Sequence, residues 1–325
     1  MGSEIIKITY HLPEKVLDNK DIKQLFPEFN SLKVLKNVGI QQRHIAGDNE
    51  TALDLAYEAA EKLLIQIDRS TIDMLILCTQ SPEYYLPTGA CILQHKLGLP
   101  THCGAFDISL GCSAYMYGLA TANGFISSGI ATNILLLTGD TLTKHIASDD
   151  KANMTIFGDA ATATLIRASE REAILAVDLG TNGSGWQNLI NPVGGFRYRA
   201  NGNENKTAGV RQLYMDGPEI LNFTMDTVPC LIENVLSKAR MKLDDIDSFV
   251  FHQANKFILD TLCSLIDIPE DKFIIDMENY GNTVSSSIPI VLANMAEQGR
   301  LSSGTKVLTA GFGVGYSWGA VIIEW

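Results

Sequence analysis

Cysteine stands at positions 78, 91, 103, 112, 230 and 263 of this 325-residue chain, and FDISLGCSAYMYG (106–118) gives Cys112 a setting the other five lack. Gly111 precedes it, Ser113 and Ala114 follow it, and a helical pattern starts directly after. A thiol at a helix N-terminus meets unpaired backbone N–H groups and the positive end of the helix dipole, both of which favour the nucleophilic thiolate. The small neighbours would leave space for a substrate carbonyl. For the other cysteines the expectation is simple burial, the ordinary setting of a free thiol. His252 closes the apolar run SFVFHQ (248–253), where it is either a hydrogen-bonded structural residue or a participant in chemistry. Asn282, in YGNTVSSSIP (280–289), could donate its amide to an oxygen that becomes negative during reaction, or serve locally as turn and cap. GFGVGYSWG (311–319) is not a phosphate loop, because no Gly-Lys-Ser/Thr follows. It is either a close-approach turn that offers a backbone N–H or a tight link between strands. His11, His44, His95, His102 and His145 are read as structural, and no Cys/His spacing suggests a metal.

These groups must be held by the elements around them. DMLILCT (73–79), NILLLTG (133–139), SFVFHQ (248–253) and TKVLTAG (305–311) are short apolar runs suited to buried strands. Helical patterns lie between them at 51–67, 113–127 and 287–299. The alternation predicts an α/β protein with helices layered on sheets. It also repeats. Residues 72–80 line up with 246–254, 125–140 with 300–313, and 158–166 with 315–323. The last pair is closer in register than the others, which predicts an insertion in the first half near 142–157. The chain therefore reads as two α/β halves, 1–169 with the nucleophile and 170–325 with the histidine and asparagine. Cys112 then faces Asn282 across a pseudo-twofold axis, and Cys78 matches His252. Open α/β sheets gather their sites at such strand ends.

Composition narrows the rest. A net charge of −12 argues against broad nucleic-acid affinity, although Lys33, Lys36, Arg43, Lys151 and Lys256 would form a local basic patch if the fold gathered them. No apolar run reaches membrane-spanning length, no leader pattern is visible, and the cysteines lack disulfide-scaffold spacing. The expectation is a reduced, cytoplasmic protein that binds neither membrane nor nucleic acid.

With Cys112, HQAN (252–255), GNTVSSSIP (281–289) and GFGVGYSWG in this order, the whole chain resembles the β-ketoacyl-acyl-carrier-protein synthase III family. GIQQRHIA (39–46), FGDAATA (157–163) and MDGPEIL (215–221) add to the likeness. The resemblance implies a thiolase-type fold, layered α-β-α-β-α, in a homodimer. It implies an acyltransferase that holds an acyl group as a thioester on Cys112. His252 and Asn282 would hold the malonyl-thioester carbonyl as it loses CO₂, and the carbanion would attack the acyl group in a Claisen condensation. The backbone N–H groups of Cys112 and of the Gly313–Val314 turn would form a second oxyanion site. Asn255, Phe312, Leu86 and Lys256 would contact substrate, and the loop SPEYYLPTGA (81–90) with Leu86 would either line the partner's acyl pocket or pack in the dimer core. Substrates would be acyl-CoA or acyl-carrier protein and malonyl-carrier protein, with no cofactor or metal.

Some positions depart from the family pattern. Lys33, Asn37 and Lys151 stand where an aromatic ring and guanidinium groups flank the adenine of coenzyme A, a stacking role Lys and Asn cannot fill. Pro218 replaces an asparagine near the pantetheine arm, Phe257 an arginine on the carrier-docking rim, and Val314 a common glycine. The departures suggest a non-acetyl or carrier-bound donor, and either fatty-acid biosynthesis or specialised-metabolite condensation. Glu83 is out of register for the carboxylate of non-decarboxylating relatives. A papain-like hydrolase also orders Cys, His, Asn, but its local signature is missing and a duplicated α/β chain does not suit it. A noncatalytic subunit would be expected to lose the nucleophile.

Overall fold

The computed structural model of the chain describes residues 1–193, 195, 197 and 213–325. Nine strands form two main sheets. The first half supplies β1 (Gly2–His11), β2 (Met74–Cys78), β3 (Gly104–Ile108), β4 (Asn133–Asp140) and β5 (Ala160–Ser169), in spatial order β1-β5-β4-β2-β3. The second half supplies β6 (Ile174–Thr181), β7 (Ser248–Phe251), β8 (Lys306–Gly313) and β9 (Ser317–Glu324), in order β7-β8-β9-β6. Six helices pack on them: α1 (Ala52–Leu64), α2 (Gly89–Lys96), α3 (Ala114–Ser127), α4 (Gly217–Ala239), α5 (Lys256–Leu265) and α6 (Ser287–Glu297).

The two sheets repeat one pattern of pairing. β2 runs parallel to β4, and β4 antiparallel to β5; β7 runs parallel to β8, and β8 antiparallel to β9. Met74 pairs with Ile134 as Ser248 pairs with Val307, and Asp140 pairs with Ala160 as Gly313 pairs with Ser317. The second half has only a single bridge, Phe249 to Phe273, where the first half has β3. The expected insertion is present. A 3₁₀ turn (Leu142–His145) and a short helix (Lys151–Ile156) separate β4 from β5, whereas three residues separate β8 from β9.

The side-chain period of two decides the layering. Leu75 and Leu77 point outward onto α1 and α2, while Ile76 and Cys78 point inward onto α3. In β7, Phe249 and Phe251 point outward onto α4 and α5, and Val250 points inward. Both faces of each sheet are thus covered, and the layers run α-β-α-β-α, with α3 and α6 in the central layer. α1 is amphipathic: it buries Leu53, Ala56, Ala60, Leu63 and Leu64, and Thr51 and Asp54 close its start as a capping box. α3 is apolar on nearly every side because sheets lie on both of its faces. At Gly118 a Cβ would lie 2.6 Å from Leu136 Cδ1, so this glycine lets α3 settle onto β4.

Candidate active site

Cys112 and His252 sit just past strand ends, and Asn282 sits in the loop that leads into α6. Cys112 follows β3 and immediately precedes Ser113, the N-cap of α3. The Ser113 hydroxyl bonds Ser317 Oγ at 2.7 Å, and Ser317 Oγ donates to the Val314 carbonyl at 2.8 Å, which ties the start of α3 to the β8–β9 turn. The glycines of that turn have a steric purpose. A Cβ on Gly311 would lie 2.6 Å from the Cys112 carbonyl oxygen, and one on Gly313 would lie 3.1 Å from Cys112 Sγ. The end of β8 therefore lies directly against the cysteine, and the same segment is a tight link of three residues into β9.

His252 directly follows β7 and is 2% exposed, with its ring edge-on to Phe312 at 5.9 Å between centroids. Its Nδ1 lies 2.7 Å from Ser287 Oγ at the start of α6. Asn282 is pinned to the first half through its backbone: its N–H donates to the Ile156 carbonyl at 2.8 Å, and its carbonyl accepts from Gly158 N–H at 3.0 Å. Its side-chain Oδ1 accepts from Val284 N–H at 3.0 Å, which assigns the amide orientation and leaves Nδ2 as the donor end.

Cys112, His252 and Asn282 line one cavity of about 450 Å³, together with Asn255, Phe312, Gly313 and Val314. Asn255 also caps α5, accepting from Ile258 N–H at 2.9 Å. The wall nearest Cys112 is apolar, with Leu142, Ile156, Phe157, Leu189, Leu213 and Met215. The insertion after β4 supplies three of those six residues, so it builds part of the pocket. Leu86 and Lys256 lie outside the cavity lining of a single chain. Leu86 is 79% exposed, and Lys256 forms an ion pair with Asp260 at 2.6 Å. The basic patch does not assemble as drawn: Arg43 is fully buried, bonded to Leu17, Asn19 and Thr155, because it braces the loop beneath Gly281. Lys151 pairs with Glu28 at 2.6 Å. Pro218 occupies the first turn of α4, where its missing N–H costs nothing, beside the cavity-lining Gly217.

The electrostatics oppose one expectation. Burial, and then the charge of Asp140, push the Cys112 thiol up to about 12, against a smaller lowering by backbone N–H. Desolvation thus opposes the lowering that the expected helix-start setting would give the thiol. Burial also pushes His252 down to about 3, which keeps the imidazole neutral. Asp140, at the end of β4, is raised by burial to about 7 while accepting from Gln80 N–H at 2.8 Å and Ser285 Oγ at 2.6 Å. Asp140, Ser285 and Ser287 were missed in the sequence. Three successive serines ahead of an apolar helix were the available signal, since buried hydroxyls need partners.

Two family models match the chain: 3-oxoacyl-[acyl-carrier-protein] synthase III over residues 106–183, and the C-terminal part of the same enzyme over residues 236–325. A β-ketoacyl-[acyl-carrier-protein] synthase III from Halalkalibacterium halodurans is 34% identical over 99% of this chain and 96% of its own. A 2.1 Å crystal structure of a 3-oxoacyl-(acyl-carrier-protein) synthase III covers all of both chains at 44% identity and a TM-score of 0.96. A 3-oxoacyl-(acyl-carrier protein) synthase from Burkholderia xenovorans is 35% identical, with a TM-score of 0.92 over 100% of this chain and 94% of its own.

Proposed function

We propose, from the premise that the chain belongs to the 3-oxoacyl-[acyl-carrier-protein] synthase III family, that Cys112, His252 and Asn282 perform its decarboxylating Claisen condensation. The observation that carries the assignment is that these three side chains line one cavity, with His252 Nδ1 held by Ser287 Oγ and Asn282 Oδ1 held by Val284 N–H. The Cys112 sulfur attacks an acyl thioester, the thiol proton leaves with the departing thiolate, and an acyl-Cys112 thioester remains. Malonyl-carrier protein then enters. Its C–C bond to the carboxylate breaks, CO₂ departs, and the electron pair moves into an enolate whose oxygen is held by His252 and Asn282 N–H donors. The carbanion attacks the acyl carbonyl, Cys112 leaves as thiolate and takes up a proton, and a β-ketoacyl product is released. Backbone N–H groups at Cys112 and at Gly313–Val314 are the donors for the tetrahedral oxyanion. Because loss of CO₂ itself generates the carbanion, no cofactor or metal is required.

The acyl donor is the finer question. Lys33 and Asn37 are exposed, Lys151 is held by Glu28, and Phe257 is 56% exposed at the start of α5. These four positions, among the described residues, offer neither a guanidinium nor an indole to stack on adenine. We read them as selecting a non-acetyl or carrier-bound donor, in fatty-acid initiation or in a specialised pathway. Tyr84 and Leu86, 61% and 79% exposed on one loop, are the apolar contribution to a homodimer in which Leu86 reaches the partner's pocket. A monomer by light scattering would remove that part of the reading.

Intact-protein mass spectrometry after incubation with acyl-CoAs and acyl-carrier proteins tests the nucleophile. A single acyl adduct is expected on the wild type and none on Cys112→Ser, and the donor that labels fastest identifies the carrier. An adduct that survives in Cys112→Ser would remove the assignment.

A further inference from the structure

The proposed chemistry asks His252 for an N–H at the nitrogen that faces the cavity, and this inference rests on that reading. A neutral imidazole has one N–H, so the enzyme must decide which nitrogen carries it. The depressed basicity of His252 keeps the ring neutral at working pH. Nδ1 faces Ser287 Oγ at 2.7 Å, and Nε2 has no protein partner among the described residues.

Ser287 has one hydroxyl proton and three polar neighbours. Gln253 N–H donates toward its oxygen at 3.4 Å. The Val284 carbonyl lies at 3.0 Å, and it already receives the backbone N–H of Ser287. His252 Nδ1 is closer, at 2.7 Å. A proton given to Val284 would leave Nδ1–H as donor to the serine and Nε2 as a bare lone pair. A proton given to Nδ1 leaves Nε2–H facing the cavity. The shorter contact, 2.7 Å against 3.0 Å, favours the second arrangement. We propose that Ser287 donates its hydroxyl proton to His252 Nδ1 and thereby holds the ring in the Nε2–H form, as a positioning residue for decarboxylation.

The neighbouring serines supply a control. Ser285 donates to Asp140 Oδ2 at 2.6 Å, and Ser286 Oγ lies 2.8 Å from Thr138 Oγ1 and 3.3 Å from the Ala160 carbonyl. All three hydroxyls brace one turn, but only Ser287 touches His252.

The experiment is ¹⁵N-histidine NMR of the full chain near pH 7, with the His252 signals assigned by their loss in His252→Gln. The wild type should show protonated Nε2 and unprotonated Nδ1. Ser287→Ala should move the signals toward mixed tautomers. It should also slow malonyl decarboxylation about tenfold, the loss of one well-placed hydrogen bond, while leaving the rate of Cys112 acylation within about twofold. Ser287→Thr should restore both readouts, and Ser286→Ala should leave the tautomer unchanged. A wild-type spectrum with protonated Nδ1 would overturn the proposal even if Ser287→Ala fails to fold. So would a Ser287→Ala spectrum identical to wild type. Failure of the catalytic reading looks different: His252→Ala would keep its decarboxylation rate while the wild-type tautomer remains as stated.

Discussion

The two halves of the chain place different groups in the loops that lead into their central-layer helices. In the first half, the junction between β3 and α3 holds Cys112, and the equivalent of His252 is Cys78, fully buried against α3. In the second half, the junction before α6 holds Asn282, and the strand end holds His252. The ends of β4 and β8 are a third matched pair: Asp140 in one, Gly313 in the other. On the proposed reading, one half offers a group that gives electrons to carbon, and the other offers N–H donors that receive charge on oxygen. The matched positions carry different side chains, and the first half adds a strand and the insertion after β4. A buried carboxylate at the position of Gly313 would collide with Cys112, because even a Cβ there approaches its sulfur to 3.1 Å.

If that division holds, damaging the second half should spare the chemistry of the first. His252→Ala removes a donor from the decarboxylation oxyanion but leaves Cys112 and its backbone N–H in place. Malonyl decarboxylation is expected to fall by about 10²–10³, the usual cost of one oxyanion donor, with acylation of Cys112 falling far less. Separate assays of CO₂ release and of acyl-enzyme formation measure the two steps. Equal losses in both would mean that His252 also activates the thiol, and the two halves would no longer have separate roles.

How much of this was legible from residues alone follows from the physics of each signal. Strand cores such as LILC and LLL are apolar on both faces, and their repetition at matched spacing revealed two halves and the junctions of Cys112 and Asn282. The insertion at 142–157 was visible as a broken spacing, but not that Leu142, Ile156 and Phe157 form the pocket wall, since an apolar side chain looks the same in core and pocket. Burial opposes the thiolate expectation for Cys112, because sequence shows the helix start and hides the depth of burial. Arg43 could be counted toward a basic patch because its charge is visible in sequence and its burial is not. Only its three hydrogen bonds, made to residues far apart in the chain, place it inside. Ser287 and Asp140 were unreadable for the same reason, as their partners lie on other segments.

The contact between the halves can be tested directly where β8 lies against Cys112. Gly311→Ala would place a Cβ 2.6 Å from the Cys112 carbonyl oxygen and 3.0 Å from Ser113 Cα, both backbone atoms that cannot swing aside. An overpacking cost of about 1–3 kcal/mol is expected, read as a lower urea midpoint at unchanged slope. Because the displaced atoms are those that carry the nucleophile, acylation should slow alongside. A variant as stable and as active as the wild type would mean that the glycine-rich tail is a loose connection, and that the closeness of the halves contributes little.

The smallest expected effect distinguishes the matched strand ends. Asp140 is raised to about 7 by burial, and its negative charge is the second cause, after desolvation, that raises the Cys112 thiol. Asp159 is the like charge that pushes Asp140 itself upward, beyond burial. As pH rises through 7, Asp140 ionises and works against deprotonation of Cys112. Asn at this position keeps an oxygen for Gln80 N–H and removes the charge, so the thiol should become easier to ionise. The rise of the Cys112 acylation rate with pH is then expected to move to lower pH by up to about one unit in Asp140→Asn. Desolvation is the same in both proteins, so a shift in that direction isolates the charge. A profile that stays put would assign the whole elevation of the thiol to burial, and Asp140 would be a clamp on Gln80 and Ser285 with no electrostatic hold on the nucleophile.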